Sequence, residues 1–118
     1  MLFRSVLPGM VARNFGRIVN VSSRTAVRPT PGAAAYAVSK AAIISLTEAL
    51  AEDVRPYDVN VNCVLPSVID TPANRRDLAG ADVSQWVTPT QLARIMIWLT
   101  SPDAKPINGA AVPVYARA

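Results

Sequence analysis

Apolar side chains recur at helical spacing from Leu2 to Asn14, where Leu2, Phe3, Val6, Leu7, Met10 and Val11 share one stripe and Gly16 marks a stop. Pro8 in this stretch requires an early helical position or a kink. The period then changes. Arg17-Ile-Val-Asn-Val-Ser22 is a short β-branched run typical of a buried strand. Ser23 to Gly32 holds Pro29, Pro31 and Gly32 and is read as a loop. Ala33 to Val54 is rich in Ala, Leu and Ile and free of Gly and Pro, which predicts a helix of about five or six turns. Pro56 ends it, and Asp58 to Leu65 forms a second strand stopped by Pro66.

Residues Ser67 to Thr88 make a long polar excursion containing Thr71-Pro72, with one short helix expected at Ala73–Leu78. Loops of this length in compact domains tend to be lids or binding loops. Thr88 caps a helix opened by Pro89 and running through Thr100, and Ala110 to Tyr115 gives a third strand. Strands alternating with helices imply a parallel sheet covered on both faces. The expected fold class is therefore α/β, with about three parallel strands and flanking helices.

Composition narrows the chemistry. The 118 residues suit one compact unit. No unbroken apolar run reaches the roughly 18–20 residues needed to span a bilayer, and the start lacks a signal-peptide layout. No membrane association is expected, and the chain is placed in the cytoplasm. Cys63 is the single cysteine and histidine is absent. Disulfides, serine–histidine hydrolysis and most zinc chemistry are thereby excluded, so no metal site is expected. The formal charge is +4, but the arginines are scattered and only Arg75 and Arg76 are adjacent. Nucleic-acid binding, which needs a clustered basic stripe, is not expected.

Chemistry must then come from Tyr, Lys, Ser, Asp or Glu. Tyr36 and Lys40 stand four apart near the start of the long helix, which puts both on one face with β-carbons about 5–6 Å apart. An ammonium beside a phenol favours the ionised phenol, and such a phenol can exchange a proton with a carbonyl or alcohol. On spacing alone, a packed tyrosine and a solvated lysine is the commoner arrangement, since perturbed pairs are rare away from sites. Ser23 adds context. It lies directly after a buried-looking strand, and ligands of doubly wound sheets sit beyond the carboxyl ends of strands.

The stretch Gly16-Arg-Ile-Val-Asn-Val-Ser-Ser23, followed by Pro31-Gly-Ala-Ala-Ala-Tyr-Ala-Val-Ser-Lys-Ala-Ala42, resembles the active-site core of the short-chain dehydrogenase/reductase family. Val59-Asn-Val-Asn-Cys-Val-Leu-Pro66 and then Ile69-Asp-Thr71 resemble the same family in order and spacing. The resemblance implies the C-terminal part of a Rossmann-like doubly wound sheet over residues 1–118. It implies an NAD(P)-dependent oxidoreductase of carbonyl or alcohol substrates, with Ser23, Tyr36 and Lys40 as catalytic residues. Tyr36 would donate or accept the proton, Lys40 would favour the phenolate and hold the nicotinamide ribose, and Ser23 would orient the substrate oxygen. Lys40, Tyr36, Pro66, Ile69 and Thr71 would bind cofactor, NAD and NADP remaining open. The segments Leu65–Arg75, Ala81–Trp86 and Asn108–Ala110 are similar to dihydropteridine reductases, which depart from the family at the serine that this chain keeps as Ser23. Ser67 stands where most members carry glycine, narrowing that turn.

The family opens with a strand, a glycine-rich turn and a helix that receives the pyrophosphate. The five glycines here are isolated and match no such turn. The dinucleotide-binding half, with the family's catalytic asparagine, is expected to be absent, leaving a first strand with an unpaired edge and the polypeptide alone inactive. A fragment, a reading frame opened at an internal methionine and a decayed copy all fit. The alternative is a catalytically silent oligomerisation module, with the two long helices (Leu2–Asn14 and Ala33–Val54) pairing between subunits of a homo-oligomer. In either case the region Ile69–Val87, with Trp86 and the Arg75-Arg76 pair, would shape specificity, and the arginines would either attract an anion or be solvated.

Overall fold

A computed structural model describes residues 2–118. Helix α1 spans Leu2–Ala12, strand β1 Gly16–Val21, helix α2 Ala34–Asp53 and strand β2 Val59–Pro66. Short helix α3 covers Pro72–Asp77, helix α4 Pro89–Leu99 and strand β3 Ala111–Val114. The three strands form one sheet in the order β1-β2-β3, all parallel. Gly16 lies opposite Val59 and Val21 opposite Val64, while Cys63 lies opposite Ala111 and Pro66 opposite Val114. β2 is the central strand and is buried along its whole length. β1 pairs on one side only, so the open edge expected from the sequence is present.

Alternation along β2 sorts the core into two layers. Val59 and Val61 face Ala51 and Val54, together with Leu7 and Met10 of α1. Val64 faces the other way, toward Leu92 and Leu99 of α4 and Val114 of β3. α1 and α2 therefore cover one face and α4 the other. The strands step in a single direction while α2 and α4 lie on opposite faces, so the two crossovers have opposite hands. Only one of them can follow the right-handed rule.

Local chemistry explains the boundaries. The Thr88 hydroxyl accepts from Gln91 N–H while the Gln91 side chain accepts from Thr88 N–H, a complete capping box ahead of Pro89. Gly16 packs so closely under Met10 that an added β-carbon would lie 2.5 Å from its sulfur. Pro8 is inside α1. α2 contains an 18-residue window of mean hydropathy 1.2, long and apolar enough by length and composition to cross a bilayer. It is not an unbroken apolar run, since Lys40, Thr47 and Glu48 interrupt it. In this fold α2 is the crossover between β1 and β2, with its buried Thr47 accepting from Asn20 at 3.0 Å.

The strap from Lys105 to Ala110, between α4 and β3, hangs on asparagines. Asn60 donates to the carbonyls of Lys105 and Ile107, and Asn62 donates to Ile107 and accepts from Ala110 N–H. Asn108 accepts from Val61 N–H and donates to Ala51. Gly109 turns the chain at φ +75°.

At the amino ends of the strands, the mostly buried Arg17 guanidinium donates to Gly16 and Asp58 carbonyls and to the Asp58 carboxylate at 2.8 Å. Lys105 reaches the second carboxylate oxygen at 3.2 Å. Arg17 first, then Lys105, holds the Asp58 carboxyl below its ordinary value of 3.8. A carboxyl depressed by folding stabilises the native state above its unfolded value, and that stability is lost as pH falls through the folded value. Thermal midpoints followed by circular dichroism should thus drop on acidification below about pH 4. Asp58→Asn should flatten that dependence, and an unchanged acid limb in the variant would refute the assignment.

The radius of gyration is 15.6 Å, above the roughly 13.5 Å of a compact domain of this length. Tyr36 and Val38 stay exposed on α2.

Candidate active site

The carboxyl ends of β1 and β2 open on a crevice of about 710 Å³. After β1 the chain keeps one more ladder bond, Ser22 N–H to Val64 at 2.9 Å. The buried Ser22 hydroxyl donates to the Lys40 carbonyl at 2.7 Å, which fastens α2 to the strand end. Ser23, also buried, caps a single turn over Arg24–Ala26 by accepting from Thr25 N–H at 3.1 Å. A hydroxyl that accepts one bond still has its own proton to donate. Among the described residues nothing receives that proton.

Tyr36 lies in the first turn of α2, half-exposed at 49%, and its hydroxyl makes no hydrogen bond among the described residues. Lys40 follows one turn later on the same face. Its ammonium sits 5.7 Å from the centroid of the Tyr36 ring and donates to the Val21 carbonyl at 3.3 Å. The pair is thus on the face that spacing placed it on, turned toward the strand ends. Another wall comes from Pro66 at the end of β2 and from Val68 and Ile69 beyond it. Asn74 holds that wall by donating to the Ile69 carbonyl at 2.7 Å.

Ser23, Tyr36, Lys40, Pro66 and Ile69 all line this one crevice. Thr71 does not: its hydroxyl accepts from Asn74 N–H and caps α3. The Ser67 hydroxyl donates to the Tyr115 carbonyl at 2.8 Å, so the turn after Pro66 is tied to the end of β3.

The excursion after β2 is closed at its base by a parallel bridge between Ile69 and Val87. Trp86 and Val87 are buried in that closure, so Trp86 serves packing and does not reach the crevice. Arg75 grips Asp70 through two bonds of 2.5 and 2.8 Å and holds its carboxyl below the ordinary range. Neither Arg75 nor Arg76 lines the crevice. The cations that do are Arg24, Arg28 and Lys40, and among the described residues no aspartate or glutamate side chain joins them. Sequence reading missed Ser22, Asn74, Arg24 and Arg28. The signal available for Ser22 and Arg24 was their place on either side of Ser23; nothing in the pattern marked Asn74 or Arg28.

The arrangement sets two hydroxyls with protons to give, one phenolic and one aliphatic, beside a fixed ammonium in a strand-end cleft. That set can donate to a carbonyl oxygen and stabilise the anion left behind.

A family model described as short chain dehydrogenase matches residues 1–81. The chain is 34% identical over 119 residues to a 2-(R)-hydroxypropyl-CoM dehydrogenase of Xanthobacter autotrophicus, covering 92% of this chain and 48% of the relative. It is 36% identical over 121 residues to the 4-formylbenzenesulfonate dehydrogenase TsaC1/TsaC2 of Comamonas testosteroni, at 92% and 48% coverage. A crystal structure of a 3-oxoacyl-[acyl-carrier protein] reductase with bound NAD, from Brucella melitensis, superposes with a TM-score of 0.85 at 33% identity. That match covers 98% of this chain and 45% of the reductase. The chain thus spans about half the length of the curated relatives it matches.

Proposed function

This chain belongs to the short-chain dehydrogenase/reductase family, and from that premise we propose that it forms the catalytic half of an NAD(P)-dependent oxidoreductase acting on a carbonyl/alcohol pair. The observation that carries the reading is the Lys40 ammonium 5.7 Å from the Tyr36 ring, in a crevice shared with the Ser23 hydroxyl. The crevice fits a nicotinamide: it is open, has unpaired donors on one wall and is apolar at Pro66, Val68 and Ile69 on another. Lys40, Tyr36, Pro66 and Ile69 would hold that group, and Thr71 has its main-chain N–H left to offer. Nicotinamide, when bound, supplies the hydride chemistry.

The chain's own residues handle the oxygen. In reduction, Ser23 donates a hydrogen bond to the carbonyl oxygen and Tyr36 delivers the proton. The Lys40 ammonium then faces the phenolate and lowers its energy, an attraction that strengthens as the crevice excludes water. In oxidation the proton returns by the same route. The single thiol Cys63, buried and unpaired, suits a reducing cytoplasmic compartment.

The test joins residues 2–118 behind the N-terminal half of the NAD-bound Brucella reductase. The chimera should oxidise NADH or NADPH with a panel of aldehydes and ketones, while the 118-residue polypeptide alone shows none. Positioning of the cofactor is worth about 7–11 kcal/mol of barrier, and this chain holds only one side of it. A folded chimera that binds NADH yet reduces no carbonyl would refute the reading. A second reading, a silent self-associating module, is favoured by the apolar groove of about 730 Å³ between α1 and α2, lined by Phe3, Leu7, Val11 and Leu50. Oligomerisation of a chimera without nucleotide binding would decide for it.

A further inference from the structure

We infer that Arg24 and Arg28 select a substrate carrying an anionic group, a carboxylate or sulfonate set apart from the carbonyl that Tyr36 protonates. This rests on the reading of Tyr36 and Lys40 as the carbonyl-facing pair, and it names the substrate class for that site. Four observations support it.

First, Arg24 and Arg28 line the same crevice as Tyr36 and Lys40. Second, neither guanidinium forms an ion pair or donates a hydrogen bond among the described residues. Arg13, Arg17, Arg55 and Arg75, by contrast, all find acceptors within the chain. An arginine fork carries five donors and gains most from a planar or tetrahedral oxyanion.

Third, Arg24 is already placed. It follows Ser23 directly in the capped turn, is only partly exposed, and its guanidinium carbon lies 5.1 Å over the Tyr115 ring. The Tyr115 carbonyl is in turn held by Ser67. Stacking fixes the plane of the guanidinium while leaving its N–H edge open. Arg28 is tied to the same turn, its N–H donating to the Arg24 carbonyl at 2.9 Å.

Fourth, cations are in excess. Arg24, Arg28 and Lys40 line the cleft with no aspartate or glutamate side chain among the described residues, and the last residue, Ala118, is the one lining position that brings a carboxylate. Of the three cations, Lys40 is committed to the Tyr36 ring and Val21. The two arginines remain for the ligand.

The probes are 4-formylbenzoate and its neutral methyl ester, titrated into the 118-residue chain and followed by amide chemical shifts around the Arg24 turn. The acid should bind about tenfold or more tighter than the ester, because charge-assisted bonds are roughly twice as strong as neutral ones. That preference should shrink between about 20 and about 200 mM salt as screening grows. Arg24→Gln with Arg28→Gln should abolish it, and Arg76→Gln, outside the crevice, should leave it unchanged. Equal affinity for acid and ester, no binding of either, or a preference that survives both glutamine substitutions overturns the inference. Nicotinamide mononucleotide separates the sources of the anion. If its phosphate displaces 4-formylbenzoate and binds tighter through the same arginines, they serve the cofactor and the substrate assignment falls. The two readings fail separately: an inactive chimera refutes carbonyl reduction with the acid preference intact, whereas equal affinities refute the anion site with reduction intact.

Discussion

Tyr36→Phe is expected to lower carbonyl reduction by the chimera about 10²–10⁴-fold in kcat/KM, the usual worth of a positioned general acid. The substitution removes one oxygen and keeps the ring that Lys40 faces. Tyr36 is half-exposed and its hydroxyl has no partner among the described residues, so no hydrogen bond of the fold is lost. The thermal midpoint should therefore stay within measurement error of the parent. That combination, a large kinetic loss without a stability loss, is what separates proton transfer from packing. The loss should appear in kcat as well as kcat/KM, because the proton moves only as charge develops on the carbonyl oxygen. Activity retained within tenfold would place the acid elsewhere, with Ser23, whose proton has no acceptor among the described residues, the next hydroxyl to test.

Much of this was legible because it is local. The four-residue spacing of Tyr36 and Lys40 needs only a helix, and the absence of Gly and Pro from Ala33 to Val54 secured one that the structure bounds at Ala34–Asp53. Thr88, Pro89 and Gln91 announce a helix start by their own hydrogen bonds, and β1 and β2 shift by one residue from their expected ranges. What lay beyond reach depends on contacts between distant segments. Arg75 and Arg76 look like the natural anion site because they are adjacent, yet Asp70 neutralises one and the excursion carries both away from the cleft. Arg24 and Arg28 look ordinary in a loop, but the chain beyond the Ser23 cap places both among the residues that line the crevice. Trp86 reads as a lid residue until the Ile69–Val87 bridge closes the loop base and buries it.

The same limit hid the buried asparagines. Val-Asn-Val-Asn in β2 alternates as a half-solvated strand would, but both faces of β2 are covered, so Asn60 and Asn62 are 6% and 1% exposed. Each must therefore find partners, and the strap from Lys105 to Ala110 supplies them with its own unpaired main-chain groups. Polar burial here fixes where the chain returns to form β3. β3 has only four residues and one neighbouring strand, so its ladder alone is a weak tether.

Asn62→Ala is accordingly expected to destabilise the fold by about 1–3 kcal/mol. It strands the Ala110 N–H, a group that costs about that much when buried without a partner, while the Ile107 carbonyl loses one of two donors and keeps Asn60. Asn62 makes these two bonds at 2.8 and 2.9 Å, and Ala110 in turn accepts from Cys63 N–H at 2.8 Å. Loss of the side chain thus loosens the strap at the point where it meets β2. Urea unfolding followed by circular dichroism should show the midpoint falling with little change in slope. Cys63 offers a second readout. Burial pushes its thiol up, and it is fully enclosed in the native fold, so labelling by a thiol reagent should be slow in the parent and faster in the variant. A variant with parental stability and parental labelling would mean that Asn60 and Asn108 hold the strap without Asn62, and that β3 does not depend on the Asn62 amide for its place beside β2.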